Sequence, residues 1–186
     1  MKVGVLALQG DVREHVEILR GLDAATVPVR TSEDLQEVDA LVLPGGESTT
    51  IGFMLEEHGM IEPLRKRIED GLPVLGTCAG AILLAKTIEG GEVPRIGILD
   101  TVVHRNAYGR QVDSFEDDVD VEGVGHVHAV FIRAPVIESI GEGVDVLATH
   151  RDGPVVVRQN NILAATFHPE LAHEDGLHRL LLDSAR

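Results

Sequence analysis

The chain has 186 residues, 31 acidic against 16 lysine or arginine, and a formal net charge of −15. This length suits one compact domain spanning residues 1–186, and the acidic balance argues against nucleic acid as a partner, because a phosphate backbone requires a basic surface. No apolar run is long enough to cross a bilayer and no signal peptide is completed, so we expect a cytoplasmic protein with no membrane contact.

The first half of the chain alternates apolar segments with helical patterns. Residues 3–8 are continuously apolar, as in a strand buried on both faces, and Asp11 begins a helix with a capping-box pattern. Further strands are predicted at residues 26–29 and 40–43, with an acidic connector at residues 32–39 between them. This β-α-β order favours an α/β fold, a three-layer sandwich whose central sheet is mostly parallel.

A glycine-containing loop, residues 44–49 (PGGEST), follows the third strand. Two glycines at the carboxyl end of a strand allow the backbone to approach a ligand closely, although the same residues could form only a tight turn. Helices are predicted at residues 51–55 and 61–70, and a fourth strand at residues 72–75 leads into the next turn.

The second half of the chain contains short β-type segments, which predict antiparallel additions to the sheet. The acidic stretch at residues 113–122 is interpreted as a solvated connection and not as a metal site. A final helix is predicted at residues 174–184. The β-type segments are residues 96–103, 119–121, 127–132, 144–149, 155–157 and 162–167.

The only cysteine, Cys78, lies in residues 76–80 (GTCAG), between the fourth strand and a predicted helix at residues 81–85. A nucleophile on such a sharp turn needs small neighbours, which this segment supplies. The positive end of the helix dipole would favour a thiolate, and the backbone N–H of Ala79 could stabilise an oxyanion. The alternative is a buried cysteine that acts as a small hydrophobic residue.

A partner base for Cys78 must come from the nine histidines. His168 closes the segment at residues 162–167 and is followed by Pro169 and Glu170. A carboxylate two residues from an imidazole, at the end of a strand, can hold the tautomer that accepts the thiol proton. His168 is therefore the predicted base, although an ordinary loop could have the same sequence.

The other histidines carry weaker signals. His15 and His58 are predicted on exposed helix faces. His126 and His128 lie two residues apart and could share one face of a strand, but no third metal ligand is evident, so no metal site is predicted.

Together these residues predict acyl-transfer chemistry at one edge of the sheet. A thiolate of Cys78 would attack a carbonyl, and the N–H groups of Gly46 and Ala79 would hold the oxyanion. His168, oriented by Glu170, would protonate the departing amine. The residues define the reaction class but not the substrate.

In order and spacing, GTCAG, PGGES and HPE resemble the motifs of the triad-type (class I) glutamine amidotransferases. More narrowly, the whole chain resembles the glutaminase subunits of pyridoxal 5'-phosphate synthase. The most specific segments are residues 105–111 (RNAYGRQ) and 131–135 (FIRAP). The resemblance implies the flavodoxin-like class I glutaminase fold.

The resemblance also implies a substrate and a partner. L-glutamine would be hydrolysed to L-glutamate and ammonia through a thioester on Cys78, with no cofactor. The ammonia would pass to a separate (β/α)8-barrel synthase subunit in a hetero-oligomer. Gln9 is similar to the family position that responds to partner docking and helps to set the oxyanion hole. By similarity, the residues that contact glutamine are Gly46, Glu47, Ser48, Arg105, Ile132 and Arg133.

Three alternatives stay open at this stage. The chain could be a glutaminase subunit of another amidotransferase pathway, or a stand-alone cysteine hydrolase or chaperone of a related α/β type. It could also be a non-catalytic docking or regulatory subunit. The presence of Cys78, His168 and Glu170 together argues against the non-catalytic interpretation.

Overall fold

The structure is a computed structural model, and it describes residues 1–105, 114–151 and 153–186. None of the helices in those ranges combines the length and the hydropathy of a membrane span. A short 3-10 helix covers Pro169–Ala172. In chain order the other elements are β1 (Lys2–Leu6), α1 (Val12–Gly21), β2 (Ala25–Val29), α2 (Ser32–Gln36), β3 (Ala40–Leu43), α3 (Ser48–Glu57), α4 (Ile61–Glu69), β4 (Val74–Thr77), α5 (Ala79–Leu84), β5 (Ala85–Glu89), β6 (Leu99–His104), β7 (Phe115–Val121), β8 (Gly125–Phe131), β9 (Val136–Ile140), β10 (Asp145–His150), β11 (Gly153–Gln159), β12 (Ile162–Ala165) and α6 (Gly176–Ser184).

The central sheet has seven strands in the order β10-β11-β12-β4-β3-β1-β2. The five strands from β12 to β2 are parallel to one another. β11 is antiparallel to β12, and β10 is antiparallel to β11. The predicted α/β fold, with a mostly parallel sheet and antiparallel strands added by the second half of the chain, is confirmed.

Alternate residues of the central strands bury their side chains in two separate apolar cores. In β3, Leu41 and Leu43 belong to the core that α2, α3, α4 and α5 cover. Ala40 and Val42 belong to the core on the opposite face, which α1, α6 and the β7–β8 hairpin cover. Because both faces of the sheet are covered, every residue of the three central strands β3, β4 and β12 is buried, as in the parallel strands of a three-layer fold.

Two smaller sheets stand apart from the central one. β5, β6 and β9 form the first, and the antiparallel pair of β7 and β8 forms the second. The interpretation of residues 113–122 as a connection was wrong for residues 115–121, which form β7, whereas the β-type segment predicted at residues 119–121 is confirmed as the end of that strand. Val119 and Val121 are buried and the residues between and before them are exposed, so the alternation of a half-buried strand lies within the acidic stretch. Residue 113 lies outside the described residues.

Two helix starts also differ from prediction. The connector at residues 32–39 contains α2, which Thr31 begins by accepting a hydrogen bond from the backbone N–H of Asp34 in a complete capping box. The capping box predicted at Asp11 is absent, because the Asp11 side chain makes no hydrogen bond to the first turn of α1. That carboxylate lies instead beside His168.

Candidate active site

The candidate active site lies where the loops after four parallel strands meet. Gln9 follows β1, Gly45 and Gly46 follow β3, Cys78 follows β4, and His168 follows β12. These strands are neighbours in the sheet, in the order β12-β4-β3-β1. Residues that are far apart in sequence therefore meet at the carboxyl edge, where open α/β sheets bind ligands.

Cys78 lies on a sharp turn between β4 and α5, with φ 46° and ψ −99°. A non-glycine residue in this backbone region costs about 1–3 kcal/mol, and such strain concentrates at functional sites. Close packing explains the small residues around it, because a Cβ on Gly80 would lie 2.1 Å from the backbone oxygen of Leu43. The backbone N–H of Cys78 donates to the oxygen of Ala165 at 2.8 Å, which fixes the turn against β12.

His168 and Glu170 form a buried pair beside the turn. Nδ1 of His168 lies 2.8 Å from Oε1 of Glu170, whose side chain is fully buried. The backbone N–H of His168 donates to the oxygen of Val130 at 2.8 Å, so the end of β8 also holds the histidine. Because Nδ1 faces the carboxylate, Nε2 is the ring nitrogen left for the Cys78 thiol.

The electrostatics of this pair favour a charged imidazole. Burial opposes the charge, but hydrogen bonds with Asp11, Cys78 and Glu170 outweigh it and raise the pKa of His168 to about 12. Burial also raises the pKa of the Glu170 carboxyl, and the neighbouring imidazolium opposes that rise. The imidazolium therefore stabilises the charged form of Glu170, the one carboxylate that is buried among the residues described.

A cavity of about 300 Å³ opens in front of Cys78 and His168. Its volume is at the lower end of the range for small-molecule sites. Ala79 and Glu170 are buried and do not line the cavity. Nine of the predicted site residues line it: Gln9, Gly46, Glu47, Ser48, Cys78, Arg105, Ile132, Arg133 and His168.

Hydrogen bonds hold the loop after β3 against the cavity. The backbone N–H of Glu47 donates to Oε1 of Gln9 at 2.9 Å. Arg105 donates to Oγ1 of Thr49 at 2.7 Å, and its Nη2 lies 3.9 Å from Oε1 of Glu47. Burial opposes ionisation of Glu47, but hydrogen bonds from Thr50 and the charge of Arg105 keep the pKa of this carboxyl below its usual value.

The opposite wall comes from the segment after β8. Sγ of Cys78 lies 3.8 Å from the backbone oxygen of Ile132. Arg133 is exposed and has φ 44°, the second strained non-glycine backbone at the cavity. Arg105 is described, but residues 106–111 of the RNAYGRQ motif lie outside the described residues.

Comparison with known proteins identifies the family. Residues 5–183 match the SNO glutamine amidotransferase family. The chain belongs to that family. It is 56% identical over 185 residues to the pyridoxal 5'-phosphate synthase subunit PdxT of Thermus thermophilus, covering 98% of this chain and 97% of that protein. The PdxT of Thermotoga petrophila is 53% identical over 188 residues, with both chains fully covered. A crystal structure of a glutamine amidotransferase superposes with a TM-score of 0.94 at 56% identity, covering 98% of each chain.

A buried cluster of His15, His178 and Thr77 lies next to Glu170 and was not predicted from the sequence. His15 is fully buried, so its assignment to an exposed helix face was wrong. Its Nδ1 lies 2.8 Å from Nε2 of His178, and its Nε2 lies 3.2 Å from Oγ1 of Thr77 and 3.5 Å from Oε1 of Glu170. Burial lowers the pKa of His15 well below its ordinary value and that of His178 to about 4. Both imidazoles are therefore neutral near pH 7.

Two groups of three side chains in the described ranges have the residue types and the spacing of a metal site. Asp11, His168 and Glu170 form one group, and Glu89, His104 and Glu138 form the other. The first group contains the pair of His168 and Glu170, and Nδ1 of His168 already contacts the carboxylates of Asp11 and Glu170. In the second, Nδ1 of His104 lies 2.8 Å from Oε1 of Glu138, an ordinary ion-pair distance.

His126 and His128 belong to neither group. Each lies beside carboxylates of β7: the ring nitrogens of His128 are 2.8 Å from Asp118 and 2.9 Å from Glu116. Hydrogen bonds to these carboxylates raise the pKa of both histidines. The two imidazoles therefore pair with acidic residues across the hairpin.

Proposed function

We propose that this chain is the glutaminase subunit of a pyridoxal 5'-phosphate synthase, and that it hydrolyses L-glutamine to L-glutamate and ammonia. The observation that carries the proposal is Cys78 on a strained turn beside the buried pair of His168 and Glu170. Relatives that match this chain over nearly its whole length are named as subunits of that synthase.

In the first half of the proposed reaction, the Cys78 thiolate attacks the side-chain amide carbon of glutamine. The backbone N–H groups of Ala79 and Gly46 stabilise the oxyanion that forms. The tetrahedral intermediate collapses as the imidazolium of His168 gives its proton to the nitrogen, so ammonia leaves and a thioester remains on Cys78. Glu170 keeps the imidazole oriented and compensates its charge.

In the second half, the now neutral His168 takes a proton from a water molecule, and the resulting hydroxide attacks the thioester carbon. The C–S bond breaks, and the product leaves as L-glutamate when its new carboxyl group releases its proton to the solvent. The proton on His168 and the thiolate on Cys78 restore the starting state. The stabilised imidazolium described above favours that starting state.

The proposed glutamine contacts lie on two walls of the cavity. They are Gly46, Glu47 and Ser48 of the loop after β3, together with Arg105, Ile132 and Arg133. An arginine can hold an α-carboxylate with two parallel hydrogen bonds. Arg105 is already fixed by Thr49, whereas Arg133 is exposed at the rim.

Ammonia is proposed to pass to a separate synthase subunit with a (β/α)8-barrel fold, within a cytoplasmic hetero-oligomer. A covered route keeps ammonia unprotonated and away from bulk water. Gln9 is the proposed sensor of the partner, because its side chain holds the backbone N–H of Glu47 next to Gly46. We therefore expect low glutaminase activity from the isolated chain and higher activity in the complex.

The test combines the chain with a candidate synthase subunit and glutamine, and measures glutamate release with and without the partner. Addition of a pentose phosphate and a triose phosphate should then produce coenzyme absorbance. Cys78→Ser is the matched control, since it removes the nucleophile and changes one atom. An electrophilic glutamine analogue should alkylate Cys78 and no other residue.

The outcomes separate the alternatives. Glutamate release without coenzyme formation would favour another amidotransferase pathway. Complex formation without glutamate release would contradict the proposed glutaminase activity and favour a docking subunit. The same conclusion would follow if Cys78→Ser released as much glutamate as the unaltered chain. Equal turnover with and without the partner would contradict the role proposed for Gln9.

A further inference from the structure

A second carboxylate shares the nitrogen of His168 that Glu170 contacts. Oδ2 of Asp11 lies 3.2 Å from Nδ1 of His168, against 2.8 Å for Oε1 of Glu170. Asp11 occupies the N-cap position of α1, where aspartate ordinarily accepts a hydrogen bond from the first turn. Here the side chain makes no cap hydrogen bond. The carboxylate is thus available to the active site and not to its own helix.

The backbone around Asp11 is shaped for this contact. The N–H of Asp11 donates to the oxygen of Gly45 at 3.1 Å, which ties the start of α1 to the loop after β3. A Cβ on Gly45 would lie 3.0 Å from Oδ2 of Asp11 and only 2.3 Å from Cε1 of His168. The imidazole and the carboxylate therefore meet over a residue that has no room for a side chain.

We propose that Asp11 is a second positioning carboxylate of His168, which together with Glu170 holds the imidazolium and sets the pH range of the reaction. For its effect on turnover the proposal rests on the glutaminase function proposed above. Glu170 is fully buried, whereas the Asp11 side chain is 32% exposed. Glu170 is accordingly the fixed partner, and Asp11 adds a charge at the solvent side.

The charges that face His168 come from three elements. Asp11 lies before α1, Glu170 lies in the 3-10 helix, and Cys78 lies on the turn between β4 and α5. His15, from α1, lies 3.5 Å from the Glu170 oxygen that His168 contacts, and it is neutral. An opposite charge within about 4–6 Å moves a pKa by about 1–3 units, and the solvent exposure of Asp11 places its effect near the lower end of that range.

Titration of His168 tests the contact without any turnover. In Cys78→Ser protein with ¹⁵N-labelled histidine, the thiolate charge is absent and the imidazole resonances can be followed by NMR against pH. His168→Asn in the same background assigns the signal. We expect Asp11→Asn to move the midpoint of His168 to lower pH by about one unit, because the imidazolium loses a neighbouring negative charge.

Two further variants separate charge from helix capping. Asp11→Ser can cap α1 but carries no charge, so it should shift the midpoint as Asp11→Asn does. Asp11→Glu keeps the charge, so the titration midpoint of His168 should lie close to its value in the protein that retains Asp11. An unchanged midpoint in the folded Asp11→Asn and Asp11→Ser proteins would overturn the proposal, as would a shift in Asp11→Asn that Asp11→Ser does not share.

Kinetics of the complex provide the second measurement. In otherwise unaltered protein, Asp11→Asn should move both limbs of the pH profile of glutamine hydrolysis to lower pH. A purely structural role would lower activity at every pH and leave the limbs in place, which would contradict the proposal. If the unaltered complex releases no glutamate, the glutaminase function fails, and the NMR titration still decides whether Asp11 holds His168.

Discussion

Replacement of His178 by glutamine should change how the stability of the protein depends on pH. His178 is fully buried on α6 and contacts Nδ1 of His15 at 2.8 Å through its Nε2. Its own Nδ1 has no hydrogen-bond partner among the described residues. The Asp175 carboxylate favours a charge on this imidazole, but burial opposes the charge more strongly, so the folded protein excludes the proton.

The size of the effect follows from the shift. Burial lowers the pKa of His178 from 6.5 to about 4 in the folded protein. The unfolded chain therefore binds the proton first, and folding stability falls as the pH drops below the unfolded pKa. Between the folded and the unfolded pKa, each pH unit changes the free energy of unfolding by about 1.4 kcal/mol. His178 alone therefore lowers the free energy of unfolding by about 2 kcal/mol between neutral pH and about pH 5.

Urea unfolding of the unaltered protein and of His178→Gln at a series of pH values measures this change in the free energy of unfolding. At neutral pH we expect His178→Gln to be less stable by about 1 kcal/mol, because the hydrogen bond to His15 is weakened. Near pH 5 the difference should close or reverse, since the variant has no buried imidazole at residue 178 to protonate. His58→Gln, which removes an exposed imidazole, should show no such trend. If the difference in the free energy of unfolding between His178→Gln and the unaltered protein stays constant with pH, His178 does not have the lowered pKa on which the prediction depends.

Three further variants test the site. Gly80→Ala should destabilise the protein by about 1–3 kcal/mol in thermal unfolding, because its Cβ would lie 2.1 Å from the oxygen of Leu43; an unchanged melting temperature would contradict the close packing. Glu170→Gln should lower kcat by about 10²–10⁴-fold with a small change in KM, and a fall confined to KM would argue against a role in orienting the imidazole. Gln9→Ala removes the hydrogen bond to Glu47 and should reduce the ratio of activity with and without the synthase subunit, whereas an unchanged ratio would exclude Gln9 as the sensor.

The central sheet and the position of the nucleophile could be predicted because their signals are local. Fully apolar strands, the glycines after β3 and the small residues around Cys78 lie within a few positions of the feature that they indicate. Parallel strands then bring the loops after β3, β4 and β12 to one edge, so the convergence with His168 follows from topology. Of the nine predicted residues that line the cavity, Gly46, Cys78 and His168 were predicted from the residues themselves, and the other six from the family resemblance.

The features that sequence reasoning missed depend on distant contacts. His15 shares the helical spacing of Val12, Val16 and Leu19, which indicated a buried face, but its polarity suggested exposure. Its partner His178 is 163 positions away, and no local pattern joins the two. Asp11 was assigned to its own helix for the same reason, since the imidazole that it contacts lies after β12.

Neighbouring imidazoles in this protein are held in opposite protonation states, and a single buried carboxylate lies between them. Glu170 contacts the charged His168 at 2.8 Å and the neutral His15 at 3.5 Å through the same oxygen. A charged His15 would compete for that oxygen and weaken the ion pair that orients His168. Burial prevents this competition, because it lowers the pKa of His15, and unfavourable electrostatic interactions with the neighbouring imidazoles of His178 and His168 lower that pKa further. The burial that we expect to make the protein sensitive to acid thus also leaves the Glu170 carboxylate paired with His168.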